Sequence, residues 1–424
     1  MSIRIPGPRS LQLANLLRKY ESRGVTCLAP DFPVFWASAD DARVVDVDGN
    51  TYIDLSSGFA VAGLGHSNPV VVSAISDQAA TLMHAMADFH PSAIRARLLE
   101  RLAEIAPGDL SKSYLCSTGS EAVEAALKTA LIYNGRPRIA AFNGAYHGLS
   151  LGALEVCGLP FFRTPFTTLL GDRAVFFDYP RARDGKSAVT RTISAIEERL
   201  HQERDIGALI VEPIQGRGGM IVPPDGFLRA LRDLCDAYQL VFILDEVYTG
   251  FGRTGALFAA EHEQVVPDLM CIGKAIANGF PISAAIGTAQ IMDAWQPPDR
   301  EALHTSTFLG NPMGCAAALA TIAEIQRLRL VERAKDLGER LQQRFQTLLG
   351  NQAVLEVRGR GLFWGIEMRD VNVAESIVKT ALRQGLIIFA EDAVVSVMPP
   401  LTIAEERLDA GLAILESLIQ KVAA

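Results

Sequence analysis

The 424-residue chain has only six cysteines, at positions 27, 116, 157, 235, 271 and 315, and none falls at a paired spacing. Scattered through mostly apolar surroundings, they read as buried reduced thiols, and the pattern speaks against a disulfide framework or a cysteine zinc site. The seven histidines do not cluster at ligand spacing either, so no metal is expected. No apolar stretch approaches the roughly 20 residues needed to cross a bilayer. Pro6, Pro8 and Arg9 interrupt the stretch where a signal peptide would be apolar. Charge of one sign never accumulates: a net charge of −8 spread without runs argues against nucleic acid or an anionic membrane as partner. Internal repeats and low-complexity linkers are missing as well. These absences leave the expectation of a cytoplasmic soluble protein.

What is present is length and alternation. The chain exceeds a single typical core, so two lobes are expected. Residues 10–23 read as an amphipathic helix and 43–55 as a hairpin around Asp48-Gly49. From about 70 to 310, helical stretches alternate with short apolar runs at 113–116, 139–142, 174–177, 208–212, 241–245, 269–272 and 284–287. Such alternation predicts an α/β fold with a mainly parallel seven-stranded sheet covered on both faces. A helical stretch to about 349, broken near Arg329, follows. Strands are then expected at 354–358 and 361–368, a helix at 372–385, strands at 386–389 and 394–398, and a last helix from 403. The expected division is an amino-terminal segment, 1–69, joining a small α+β domain, 313–424, around a large domain, 70–312.

Two segments carry the chemistry. Leu240 to Leu244 is an apolar run ending in Asp245, at the carboxyl edge of a sheet where open α/β folds place ligands, and Lys274 follows a similar run. A lysine in an apolar pocket loses its charge easily, and its neutral amine condenses with an aldehyde. A carboxylate against a pyridine nitrogen keeps that nitrogen protonated, so the ring withdraws electrons from a breaking C–H bond. Together they suggest pyridoxal 5′-phosphate. Taken singly, the aspartate also reads as a cap and the lysine as a surface residue. Cys116-Ser117-Thr118-Gly119-Ser120-Glu121 joins a strand to an Ala-rich helix, a suitable seat for phosphate, although Ser120 is equally readable as a plain N-cap. Tyr146, in the loop Asn143-Gly144-Ala145-Tyr146-His147-Gly148, is placed either to stack on a pyridine ring or simply to pack the loop.

These segments resemble the class III aminotransferases, pyridoxal-phosphate enzymes of fold type I that include the 4-aminobutyrate, ornithine and acetylornithine aminotransferases. The resemblance extends through Val45 to Asn50, Gly65-His66-Ser67-Asn68-Pro69, Val211-Glu212-Pro213-Ile214-Gln215-Gly216, Thr249 to Gly255, and Thr305 to Pro312. It implies that Lys274 carries the cofactor and shuttles a proton, that Asp245 pairs with the ring nitrogen, and that Val247 and Tyr146 sandwich the ring. His147 would support that loop, Glu212 would lie beside the cofactor, and Gly119 and Ser120 would hold the phosphate. Thr307 would reach the phosphate from a second copy, making the protein an obligate homodimer.

The departures bear on substrate. Relatives that bind amino-acid carboxylates commonly carry an arginine where this chain has Leu149, and a second where it has Ser396. Glu212, which pairs with that second arginine in ornithine-type relatives, is left free to meet an ammonium or a hydroxyl. Tyr248 stands where Gln is common and Arg217 where Glu is common; Arg217 reads as a solvated loop residue in preference to a displaced anion clamp. Arg163, Arg358 and Arg360 are other candidate anchors, and Trp36 is a further pocket candidate. The expectation is a ping-pong aminotransferase with an amino-acid donor and an aldehyde or ketone acceptor, one substrate being a terminal amine, diamine or amino sugar. An epimerase, racemase or aminomutase of the same family is the alternative, and a non-catalytic binding protein on the same fold a remote one.

Overall fold

The computed structural model describes residues 5–27, 29, 32–86, 88–297, 299 and 301–422, so the outermost residues of the two expected end segments lie outside it. The chain enters through the helix Pro8–Tyr20, which starts earlier and stops sooner than the expected 10–23. Its start is set from a distance. The carboxylate of Asp48 accepts hydrogen bonds from the amides of Arg9 (2.8 Å) and Ser10 (3.0 Å), capping a first turn whose proline already has the right φ. Asp48 belongs to the expected hairpin, formed by β2 (Arg43–Asp46) and β3 (Thr51–Asp54). An unexpected edge strand, β1 (Trp36–Asp40), pairs with β2; its side chains are mostly exposed, so no apolar alternation marks it.

The seven central runs become β4 (Leu110–Cys116), β5 (Arg138–Phe142), β6 (Ala174–Phe177), β7 (Ile206–Val211), β8 (Val241–Asp245), β9 (Leu269–Ile272) and β10 (Ser283–Thr288). They form one sheet in the order β4-β10-β9-β8-β7-β5-β6, in which β10 alone runs antiparallel to its neighbours. Strict alternation splits each strand between two cores. Ala208, Ile210, Val241 and Ile243 pack with the helix Gly119–Asn134, whereas Leu209, Val211, Phe242 and Leu244 pack with the helix Phe227–Tyr238. Burial on both faces explains why these strands read as continuous apolar runs.

Beyond the sheet, helices Pro312–Arg327 and Leu330–Gln346 meet at Arg329, whose left-handed backbone (φ +51°) makes the expected break. Strands β11 (Val354–Arg360), β12 (Phe363–Met368), β13 (Leu386–Ile387), β14 (Phe389–Glu391) and β15 (Val394–Val397) follow, with helices Val371–Arg383 and Glu405–Val422. The expected strand 386–389 is in fact two: β13 joins β3 in parallel, while β14 turns into the sheet β11-β12-β15-β14. Apolar pattern reports burial and is silent on which partner a strand chooses, so the split is invisible in sequence. The amino-terminal segment is tied to the carboxyl-terminal unit by further bonds, from Met398 N to Leu55 O (2.7 Å) and from Leu401 N to Gly63 O (2.8 Å).

Candidate active site

The carboxyl ends of β4, β5, β7, β8 and β9 open onto one region, and each delivers one of the singled-out residues to it. Asp245 closes β8. One of its carboxylate oxygens accepts from Val247 N (3.0 Å), and the other lies 2.7 Å from His147 Nδ1. His147 is buried, which opposes its charge, yet the hydrogen bond and charge of Asp245, with Glu212 behind, raise its pKa above the usual value. Lys274 follows β9 with φ at +43°, a left-handed conformation rare for a residue with a side chain and common where a site holds strain. Burial of its amine, opposed by Asp245 and Glu212 and aided by Arg217, lowers its pKa to about 8. Its Nζ sits 4.0 Å above the ring of Tyr248, which is itself packed edge-on against Phe363.

Glu212, at the end of β7, is not free. Its two oxygens accept from Tyr146 N (2.8 Å) and Gly216 N (2.9 Å), fixing the two loops to each other. Burial raises its pKa to about 7, with His147 and the two amides opposing and Asp245 adding to the rise. Val247 is the hub of the remaining pieces: a Cβ on Gly119 would lie 2.9 Å from it, and one on Gly273 would lie 3.3 Å away. The mouth of the Gly119–Asn134 helix and the root of Lys274 therefore meet at one side chain.

That mouth corrects one expectation. The N-cap is Thr118, not Ser120: Thr118 Oγ1 accepts from Glu121 N (3.3 Å), and Glu121 reaches back to the amides of Ser117 (2.7 Å) and Thr118 (3.2 Å). Gly119 and Ser120 thus occupy the first helical turn, where amides have no partner within the helix. Ser120 Oγ bonds Ser150, and Gly148 (φ +119°) passes so close to Ser120 that a Cβ there would come within 2.6 Å.

A second correction concerns Arg217, which is no solvated loop residue. Its side chain is only 36% exposed, pairs with Glu391 (Nε to Oε1 3.0 Å), and lies over the rings of Tyr146 (4.8 Å) and Phe162 (5.1 Å). The other candidate anchors are engaged elsewhere. Arg358 is buried against Glu356, Glu367 and Gly219 O; Arg360 pairs with Asp225; Arg163 lies over Phe176. Leu149 is exposed beside the helix mouth, and Ser396 is fully buried in β15 with an Oγ that has no partner. Trp36 packs edge-on against His66 (5.6 Å), which in turn bonds Asp54 (2.8 Å). Thr307 is exposed. Sequence reading missed Glu391, Phe162 and Ser150; the one hint of Glu391 was Arg217 itself, since a guanidinium set among aromatic rings calls for an acid. Of the cysteines, Cys27 is exposed and the other five are buried.

The family model for class III aminotransferases matches residues 28–419. The chain belongs to that family. It is 39% identical to the 4-aminobutyrate aminotransferase of Mycobacterium leprae (strain TN) over 440 residues, covering 98% of this chain and 96% of that protein. It is also 39% identical to the acetylornithine aminotransferase of Methanopyrus kandleri, over 90% of this chain and 93% of the relative. Among solved structures, a thermostable (S)-enantioselective omega-transaminase from Thermomicrobium roseum superposes with a TM-score of 0.89 at 30% identity, covering 96% of this chain and 98% of that one. A PLP-bound amine transaminase from an uncultivated Pseudomonas species gives 0.89 at 29% identity, over 95% and 98% of the two chains. This aminotransferase is accordingly an enzyme dependent on pyridoxal 5′-phosphate.

The residues present fit that cofactor. A carboxylate held at a strand end, an amine whose pKa is already lowered, and a glycine-floored helix mouth converge on Val247. No group of three or more potential ligands among the described residues could hold a metal, and no helix of theirs is long and apolar enough to cross a membrane.

Proposed function

We propose that this class III aminotransferase exchanges an amino group between a carboxylate-free primary amine (a terminal amine, diamine or amino sugar, or the matching aldehyde) and an amino-acid or keto-acid partner. The observation that carries the reading is the pair of neutral residues Leu149 and Ser396, one exposed beside the helix mouth and the other buried with an unpartnered hydroxyl. Neither offers the two-pronged contact that an arginine makes to a carboxylate. The amine and omega transaminases among the similar structures agree with it; the named 4-aminobutyrate and acetylornithine relatives mark the alternative substrates.

When bound, pyridoxal phosphate supplies the carbonyl that accepts the amine and the ring that takes up electron density. In this reading Lys274 Nζ, discharged by its pocket, takes the proton from the substrate carbon and would deliver it to the carbon that was the cofactor's carbonyl. The carboxylate of Asp245 would hold a proton on the ring nitrogen, and His147, whose Nδ1 lies 2.7 Å from it, fixes that carboxylate's orientation. Val247 and Tyr146 would cover the two ring faces, Glu212 locks the Tyr146 loop, and the amides of Gly119 and Ser120 would hold the phosphate at the helix mouth. Tyr248, beneath Lys274, keeps water from the amine.

Thr307 completes the phosphate seat of a second copy, which makes the working unit a homodimer. Exposed Phe308, Leu303 and Met83 support an apolar face for that contact. The division into 1–69, 70–312 and 313–424 is retained, supported by the β3–β13 pairing, and the enzyme is assigned to the cytoplasm.

A single-turnover spectral screen tests the substrate reading. Mixed with diamines or amino sugars, the loaded enzyme should lose its visible cofactor band faster than with 4-aminobutyrate or ornithine. The opposite order would overturn the reading. Lys274→Ala should abolish turnover with every substrate.

A further inference from the structure

We infer that Arg217 is the carboxylate anchor of this site, and that Glu391 occupies it as a built-in substitute whenever the substrate has no carboxylate. The inference rests on the function proposed above, in which one half of the exchange uses a carboxylate-free amine and the other an amino or keto acid.

Arg217 is carried by a stiff loop. Gln215 and Ile221 exchange backbone hydrogen bonds (3.1 and 2.9 Å), Gly219 N and Met220 N both reach Gly216 O (3.0 Å each), and Gln215 Nε2 holds Asn143 O (2.9 Å). The root of the side chain is therefore set, and its guanidinium is held by Glu391 and the two rings. That guanidinium lies over Tyr146, the ring-stacking candidate, and Phe162, close enough to Lys274 for its charge to favour the neutral amine. Planar cations held over aromatic faces are well placed to take a flat anion edge-on.

Glu391 already provides such an anion. Two of its contacts to Arg217, Nε to Oε1 at 3.0 Å and Nη2 to Oε2 at 3.5 Å, follow the side-on, two-oxygen pattern that a free carboxylate would adopt. The second contact is long, and both partners keep some exposure (36% and 21%), which marks a pair that water and a competing anion can open. Glu391 sits at the end of β14, followed by Asp392 with left-handed backbone (φ +49°), and its strand is braced where Phe389 meets Phe59 (4.9 Å). It thus comes from the carboxyl-terminal unit, whereas Arg217 comes from the central one.

Charge balance gives the arrangement its logic. An unpaired guanidinium over Tyr146 repels the ammonium of an incoming diamine, and Glu391 cancels that repulsion. A substrate carboxylate replaces one anion by another, and the displaced Glu391 turns to solvent. Arg163, Arg358 and Arg360 cannot substitute, because each is already engaged away from Tyr146.

The test uses the cofactor-loaded protein and its Arg217→Met, Arg217→Lys and Glu391→Gln variants, with two readouts. Calorimetry measures binding of glutarate, a dicarboxylate with neither amino nor keto group. Kinetics gives the ratio of kcat/KM for glutamate to that for 1,4-diaminobutane. Arg217→Met should weaken glutarate and depress the ratio by roughly 10- to 100-fold, the worth of a charge-assisted two-oxygen contact. Arg217→Lys should fall between Met and wild type. Glu391→Gln should tighten glutarate and raise the ratio. Unchanged glutarate binding in Arg217→Met, no measurable glutarate binding in the wild type, or an equal loss for both substrates would overturn the inference. If the wild type converts no carboxylate-free amine, the proposed function fails, while the glutarate measurement still decides Arg217.

Discussion

At the scale of single residues, the site is a set of charges kept out of their usual states by burial. Lys274 is the sharpest case. In the cofactor-free protein its reaction rate with an amine-directed reagent, followed by peptide mass spectrometry, should rise with an apparent pKa near the lowered value of about 8. A rate that keeps rising above pH 10 would show that the pocket does not discharge it. His147 is displaced in the other direction: burial opposes its charge, but Asp245, with a smaller contribution from Glu212, outweighs it. Asp245→Asn removes the charge and preserves the shape, so burial should then win and the His147 pKa should fall; nuclear magnetic resonance titration of the imidazole reads this directly. Lys274 and Asp245 were legible in sequence because each follows on an apolar run, whereas His147 was read only from its loop. The Arg217–Glu391 pair was not, since its members are 174 positions apart and, although Arg217 directly follows the Glu212–Gly216 motif, Glu391 sits in none.

Elements were legible in proportion to how completely they are buried. The seven runs of the central sheet carry their burial in their composition, so position, number and parallel character all follow from the sequence. Boundaries and partners follow from tertiary contacts instead: Asp48 decides where the first helix begins, and β13 and β14 part because their neighbours differ. The helix at the phosphate seat lies between these cases, its start written locally in Thr118 and Glu121 but misjudged by two positions when Ser120 is read as the cap. Thr118→Ala deletes one half of that capping box and should cost about 1 kcal/mol in urea unfolding. The same change should weaken pyridoxal phosphate binding, because fraying displaces the amides of Gly119 and Ser120. A loss of stability with cofactor affinity intact would detach the cap from the seat.

For the whole molecule, the buried acids set how stability depends on pH. Glu246 is completely buried, accepts from Ala260 N (2.8 Å) and bonds Thr249, and burial raises its pKa to about 7 despite those bonds. Its unfolded pKa lies near 4.5, so between these values the folded chain keeps a proton that the unfolded chain releases. Its stabilising contribution is complete below pH 4.5 and disappears as pH rises through about 7. Glu246→Gln imitates the protonated form, and its urea midpoint should lose the part of the decline between pH 5 and 7 that Glu246 causes, on the order of 3 kcal/mol. Identical slopes in variant and wild type would mean that other groups govern the decline. The pairing of β3 with β13 acts on the same whole-molecule scale but in time. Roughly 330 residues separate the two strands, and at about 5–20 residues per second a ribosome needs on the order of 20 to 60 s to bridge them. Throughout that interval the emerging chain presents an open strand edge, so the partner that closes its first sheet is translated only after the whole seven-stranded sheet.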